Sequence, residues 1–357
     1  MKHGMTIAGR RVGPGERCLV IAEAGVNHNG KVDLAHQLVD AAADAGADAV
    51  KFQAFKTDWL VTPDAPRAKY QAANTGSNES QYSMLKALEL GAKDFAAIKR
   101  HCEDRGMIFL CTPFDVPSAD MLANLGVQAM KIPSGEVTNT LFLEHLATLN
   151  LPLILSTGMA SMEEIHRAVQ TLRRPADHAG LVVLHCVTNY PAAPQEVNLR
   201  VMHTLARELD VAVGLSDHTL GVYVAIGAAA MGACVIEKHF TLDRNLPGPD
   251  HRASLDPAEL AQLVEGVRQI HEAMGDGVKQ VSQEEHTTAG LVRRSLAAAL
   301  PIPRGTVITS SMLTTLRPAS GIAPHLASQV IGRRAAVDIP ARKLLSWDDV
   351  ASEAVAV

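Results

Sequence analysis

The chain has no apolar run near the roughly 20 residues that a membrane-spanning helix needs. Its N-terminal stretch, MKHGMTIAGRRVGPGERC, carries basic residues but no apolar segment behind them long enough for a secretory signal. A soluble, cytoplasmic protein is therefore expected. A large charge excess is lacking too. The formal net charge is -5 and the pI near 6.3, which argues against a dedicated nucleic-acid surface but permits a local basic pocket for a small anion. Cysteine is sparse and unpatterned. Cys18, Cys102, Cys111, Cys186 and Cys234 are odd in number, widely spaced and without a Cys-x-x-Cys pair, so buried reduced thiols are expected in place of a zinc site or a disulfide framework.

What is present is apolar sequence in a regular rhythm. At 357 residues, 47% of them apolar, the chain can fill one large domain and one small one. Eight short runs read as strands: 19–25 (LVIAEAG), 49–53 (AVKFQ), 107–114 (MIFLCTPF), 129–134 (AMKIPS), 152–157 (PLILST), 181–186 (LVVLHC), 211–218 (VAVGLSDH) and 234–240 (CVIEKHF). Each is nearly continuous in apolar residues and ends in polar ones, as parallel strands buried on both faces do. Helical patterns lie between them. Val32, Leu34, Ala35, Leu38, Val39 and Ala42 form one apolar face that stops near Gly46, Ser161 with Glu164 makes a capping box, and Asp256-Pro257 with Glu259 starts a helix expected to end near Gly275. This alternation predicts an α/β fold, a (β/α)8 TIM barrel over 1–275. A polar linker over 276–289 and a small β-rich domain over 290–357 follow, the latter too small to bury much apolar area by itself. The long polar segment 57–79 suggests a substrate loop.

Barrels of this kind place chemistry where strands run into loops, and ionisable residues collect there. His218 and His239 end the seventh and eighth runs, neighbours in a closed barrel, so both imidazoles could serve one divalent metal; two hydrogen-bonded histidines are the structural alternative. Lys51, Lys131, Ser134, Ser156 and Ser216 supply donors suited to a phosphate or carboxylate, unless each lysine instead pairs with Glu23 or Glu237. Glu136, after Gly135, could reach reacting atoms as a general acid or base or could cap the next helix, and Glu23 has the same two readings. Asn27, His28 and Asn29 fit a turn into the first helix.

The motifs IAEAGVNHNG (21–30), GADAVKFQ (46–53), TPFD (112–115), KIPSGE (131–136), LSTGMA (155–160), LHCVTNYPAAP (184–194), GLSDHTLG (214–221), EKHFTLDR (237–244) and PGPDHRASL (247–255), in this order, resemble the N-acetylneuraminate (sialic acid) synthase family with its legionaminic and pseudaminic acid synthase relatives. RRSL (293–296) and LRPASGI (316–322) resemble that family's C-terminal antifreeze-like (SAF) domain. The resemblance implies a transferase that condenses phosphoenolpyruvate with an N-acylated mannosamine-type sugar, giving a nonulosonic acid and phosphate by C–O cleavage. It also implies a divalent metal on His218 and His239, most often Mn2+ with Mg2+ or Co2+ as alternatives. Phosphoenolpyruvate would lie on Lys51, Lys131, Ser134, Ser156 and Ser216. Glu136 and Glu23 would be the catalytic carboxylates, and Gln53, Tyr190, Asp250 and Arg317 the sugar contacts. The family's domain-swapped homodimer would bring Arg317 to a neighbour's barrel. Val187, Thr188 and Asn189 depart from the family pattern and receive no role, while KYQAANTG (69–76) and ESQYSML (79–85), within and just after the 57–79 segment, lean toward the legionaminic branch. The rival readings are a Schiff-base aldolase using Lys131 and a non-catalytic carbohydrate- or ice-binding protein.

Overall fold

A computed structural model describes residues 4–67, 80–173 and 178–354, so the 68–79 part of the expected substrate loop lies outside the described residues. The chain divides into two compact units, residues 1–275 and 276–357. In the first, a hairpin of β1 (Met5–Ile7) and β2 (Arg10–Val12) precedes eight parallel strands. These are β3 (Leu19–Gly25), β4 (Ala49–Ala54), β5 (Ile108–Pro113), β6 (Met130–Ile132), β7 (Leu153–Ser156), β8 (Leu181–Cys186), β9 (Ala212–Asp217) and β10 (Val235–His239), closed into a barrel when β10 pairs with β3. The apolar runs thus form the strands expected of them. The main difference is β6, which stops at Ile132 because Pro133 has no N–H to continue the ladder, and Ser134–Glu136 turns into a short 3-10 helix.

The two-residue period of each strand sorts its side chains. Outward residues such as Val20, Val50, Phe109, Met130, Leu155, Val183 and Ile236 pack in the layer shared with the helices. Inward residues nearer the strand starts, including Leu19, Ile21, Leu110, Ile154, Val182, Leu184 and Val235, fill the barrel interior. Farther along, the inward positions turn polar: Glu23, Lys51, Thr112, Lys131, Ser156, Ser216, Glu237 and His239. The helices behave as their end signals predict. Val32–Asp44 buries Ala35, Leu38, Val39 and Ala42, the Ser161–Glu164 and Asp256–Glu259 boxes both form, and the last long helix, Pro257–Met274, gives way to Gly275 with φ at 57°.

Two features were not visible in the sequence. The N-terminal hairpin packs Met5, Ile7 and Val12 into the interior cluster, flooring the barrel at its strand-start end. The stretch 276–289, expected to be a polar linker, contains most of a helix, Gln283–Val292, capped by Ser282 and Glu285. None of that helix's residues is buried, so no apolar stripe betrays it. The second unit holds two antiparallel hairpins, β11 (Ser295–Ala298) with β12 (Leu313–Leu316) and β13 (Arg333–Ala335) with β14 (Val350–Ala354). It has its own apolar cluster around Leu296, Ile302, Ile308, Ile322, Ile339 and Leu345.

Ile7 is fully buried in the hairpin. Ile7→Ala should cost about 2–5 kcal/mol in urea unfolding, the range for deleting a large aliphatic side chain from a packed core; an unchanged midpoint would show that the barrel floor does not depend on the hairpin.

Candidate active site

Strand pairing builds the polar mouth. Glu23 and Lys51 are register partners on β3 and β4, and the Lys51 ammonium lies 2.6 Å from Glu23 Oε2 and donates to Thr112 Oγ1 at 2.8 Å. Gln53 Nε2 donates to the other Glu23 oxygen at 3.1 Å. Ser216 and Glu237 are partners on β9 and β10, and the Ser216 hydroxyl donates to Glu237 Oε1 at 2.8 Å. Glu237 lies 3.3 Å from the Lys131 ammonium and 3.7 Å from that of Lys51, so one carboxylate serves both lysines. The lysines pair with barrel carboxylates, as one of the two expected readings has it, and they line a cavity with Ser134, Ser156 and Ser216.

Burial and pairing oppose each other here. Burial pushes the Glu237 carboxyl up, but the Lys131 and Lys51 ammonium groups and the Ser216 hydroxyl outweigh it and hold Glu237 at about 2. Burial dominates at Glu23, which rises to about 7 despite Lys51, with the Glu237 charge adding to the rise. Burial also lowers the Lys131 ammonium, against the pull of Glu237, whereas Glu23 and Glu237 together overcome burial and raise that of Lys51. The network therefore contains a firmly ionised carboxylate and one that exchanges a proton near neutrality.

The two histidines converge. Their ring centroids are 5.7 Å apart, and Tyr190 Oη lies 2.6 Å from His218 Nε2 and 2.9 Å from His239 Nε2. His218 Nδ1 donates to the Val187 carbonyl at 2.6 Å, which leaves the lone pair on Nε2. Burial pulls His218 down to about 4 and His239 well below the usual histidine range, so both rings are neutral at pH 7. Neutral imidazoles aimed at one point are the form in which histidine binds a metal. Among the described residues no group of three or more His, Cys, Asp or Glu side chains is placed to hold a cation, so these two rings would leave the other positions to water and substrate. Tyr190, expected at the sugar, sits between them.

The loops complete the mouth. Ser134 Oγ accepts from the Gly158 amide at 2.9 Å, and a Cβ on residue 158 would lie 2.2 Å from Thr188 Oγ1 and 2.7 Å from Ser134 Oγ, so only glycine permits this approach. The Ser156 hydroxyl is buried in the cavity and has no hydrogen-bond partner among the described residues. Thr188, unassigned from sequence, lines the cavity as well, and Glu237 is more central than its reading as a possible counter-ion suggested. Glu136 does not join the lysines. It accepts from Asn139 Nδ2 at 2.6 Å and faces an adjoining cavity with Gln53, Tyr190, His239 and Asp250. Burial pushes the Asp250 carboxyl up to about 6.

Asn27 and Asn29 do more than turn the chain. Asn27 Nδ2 donates to the Phe240 carbonyl at 2.8 Å and to Ser254 Oγ at 3.1 Å, while Asn29 Oδ1 stands 3.3 Å from His251 Nε2, tying the loop after β3 to that after β10. His28 is buried and accepts from the Gly30 amide at 3.0 Å. Arg317 is exposed just after β12 in the second unit.

Glu237→Gln leaves two buried ammonium groups short of a counter-charge and should cost about 3–5 kcal/mol at pH 7. Because the folded-state value is depressed, the contribution of Glu237 is complete above the unfolded value of 4.5 and fades as pH falls toward about 2. The gap between wild type and variant in thermal unfolding should therefore narrow below pH 4.5; a gap independent of pH would exclude this ion pairing.

Over 336 residues the chain is 47% identical to N,N'-diacetyllegionaminic acid synthase of Legionella pneumophila, covering 93% of this chain and 94% of that protein. The protein of the same name from Campylobacter jejuni is 46% identical, with 89% and 96% covered. The crystal structure of N-acetylneuraminic acid (sialic acid) synthetase from Leptospira borgpetersenii, solved with citrate, superposes with a TM-score of 0.70 at 35% identity, covering 81% of this chain and 95% of that one. The NeuB family model matches residues 38–279 and the SAF domain model residues 293–351. By barrel, motifs and sequence similarity together, the chain belongs to the NeuB family and carries a C-terminal SAF domain.

Proposed function

We propose that the protein condenses phosphoenolpyruvate with an N-acylated mannosamine-type aldose, N-acetylmannosamine or 2,4-diacetamido-2,4,6-trideoxymannose, to give a nonulosonic acid and inorganic phosphate. The observation that carries this reading is one mouth that holds two buried ammonium groups, unpaired and paired hydroxyls, and two neutral imidazoles aimed at one point. Lys51 and Lys131 with Ser134, Ser156 and Ser216 bind the phosphate and carboxylate, because charge-assisted bonds to anions are the strongest such a site can make. C3 of the enol phosphate attacks the aldehyde carbon and the aldehyde oxygen takes a proton. Water adds at C2 and loses a proton, and the tetrahedral intermediate breaks its C2–O bond to release phosphate.

Glu23, at about 7, can hold or release a proton at working pH, and Glu136 flanks the sugar side, so these two carboxylates carry the proton transfers. Gln53, Tyr190 and Asp250 contact the sugar. His218 and His239 would hold a divalent cation, Mn2+ in the first instance with Mg2+ or Co2+ able to replace it, supplying Lewis-acid polarisation of the aldehyde. No helix among the described residues is long and apolar enough to cross a membrane, and all five cysteines are buried free thiols, which supports a cytoplasmic location.

Phosphate release from phosphoenolpyruvate, by enzyme stripped with EDTA and restored with Mn2+, should require a sugar and the metal, and His218→Ala should abolish it without unfolding the barrel. The lowered Lys131 ammonium favours imine chemistry as the second reading; borohydride inactivation in the presence of pyruvate, with turnover surviving EDTA, would establish it instead. Glu136→Gln should lower turnover about 10²–10⁴-fold. We further propose a domain-swapped homodimer in which Arg317 serves the partner's barrel. Mixing Arg317→Ala with Glu136→Gln should then restore active sites, and verified mixed dimers with no recovery would show that each chain completes its own.

A further inference from the structure

On the outer face of β9 and β10, where the register partners Leu215 and Ile236 pack in the apolar layer shared with the helices, sits a buried ion pair that the proposed chemistry does not use. Lys238 donates to Asp217 Oδ2 at 2.6 Å, and each of the two residues is only 2% exposed. The same ammonium donates to the Thr219 carbonyl at 2.6 Å, and the Thr219 amide donates back to Asp217 Oδ1 at 2.9 Å. One ammonium group thus grips the residues on either side of His218. Stability alone does not account for a pair buried there, since apolar residues of similar volume often fold at least as well.

The place of this pair in the ladder gives it a role. β9 ends at Asp217, and Asp217 with Lys238 is the last register pair between β9 and β10. His218 lies one residue farther on, beyond the strand pairing, whereas His239 still belongs to β10 and stands opposite Glu23 on β3. The loop after β8 holds His218 from the other side, with the Ala192 amide donating to its carbonyl at 2.9 Å and the Val187 carbonyl accepting from its Nδ1 at 2.6 Å. Neither of those bonds reaches β10. The Lys238 ammonium does, because it carries the cross-strand tie past the end of the ladder to Thr219. We infer that Lys238, acting through Asp217 and Thr219, is the positioning residue that sets His218 against His239 and thereby sets the affinity of the two imidazoles for a divalent cation. The inference rests on the metal reading of these histidines proposed above. Without the tether the 217–219 turn is free to move away from β10, and the two rings lose the fixed 5.7 Å separation of their centroids. Outer groups that orient ligating imidazoles typically contribute about 10–100-fold in metal affinity.

The test titrates Mn2+ into the full-length, EDTA-stripped protein and reads the free ion by its EPR signal, in wild type, His218→Ala, Lys238→Met and the double variant Asp217→Asn with Lys238→Met. Lys238→Met alone leaves the Asp217 carboxylate buried without its counter-charge, which endangers folding. The double variant removes both charges and keeps an amide oxygen for the Thr219 amide, so it isolates the tether. Its Kd for Mn2+ should be about 10–100-fold weaker than that of wild type, while the metal-free protein melts within a few degrees of wild type. Equal Mn2+ affinity in wild type and the folded double variant would overturn the inference and leave the metal reading standing. A loss of affinity that only follows a large fall in melting temperature would make the pair a structural support and would overturn it as well. No Mn2+ binding by wild type, or binding undiminished in His218→Ala, would overturn the metal reading and this inference with it.

Discussion

The barrel closes where β10 pairs with β3, and the site depends on the register of that seam. Val235 stands opposite Leu19 and His239 opposite Glu23, so two segments more than two hundred residues apart in sequence become neighbours with their side chains in phase. Partners in a parallel pair point to the same face, and the consequence repeats around the mouth: Glu23 beside Lys51, Ser216 beside Glu237. A slip of one residue at the seam would turn Glu237 and His239 outward and bring Lys238 into the mouth. Lys238 is held outside by its own buried pair, 2.6 Å from Asp217 Oδ2 and 2.6 Å from the Thr219 carbonyl. The Asn27 and Asn29 bonds lock the same seam from the loop side.

Placing four ionisable groups in the mouth is expensive, since each buried charge forfeits several kcal/mol of hydration. Glu23, Lys51, Lys131 and Glu237 remain there because each has an opposite charge within 3.7 Å. Their balance is uneven. Glu237 is shared by both ammonium groups and stays ionised, whereas Glu23 holds one lysine, feels the neighbouring carboxylate and takes a proton near neutrality. With Glu23 protonated the mouth has a net positive charge, and its ammonium groups are held in position by their ion pairs. Hydrophobic residues of similar volume would fold at least as well there. The network is therefore not a device for stability, and it suits the anion-binding role proposed for Lys51 and Lys131.

The sequence made most of the scaffold legible because buried parallel strands leave an almost continuous trace of apolar residues. The runs at 19–25 and 181–186 match β3 and β8 end to end. The end signals of the helices at Ser161 and Asp256 were equally readable because capping is a local interaction. Features that depend on tertiary pairing were not. The hairpin at Met5–Val12 is short and mixed in character, and the surface helix Gln283–Val292 has no apolar stripe. Within the site, residue types and strand ends marked Lys51, Lys131, His218 and His239 as candidates, but no local pattern indicates that Glu237 would sit between both lysines or Tyr190 between both imidazoles. Nor could spacing separate Glu136 from the lysines; the turn forced by Pro133 does that.

The two adjoining cavities are built by different parts of the fold, and that separation has a consequence. Strand residues, whose positions are fixed by barrel closure, supply most of the charged mouth. The helices after β4 and the loop after β10 supply most of the apolar space, with side chains in a satellite cluster distinct from both barrel layers. Substitutions in that satellite repack Phe55, Met84 and Leu88 without moving the ion pairs, because interactions between well-separated, unshared groups add nearly independently. Gln53, Phe114, Tyr190 and His239 are the exceptions, since they face both spaces. A change at one of these four must alter both cavities together. The charged mouth and the apolar space can thus vary independently everywhere except at this boundary.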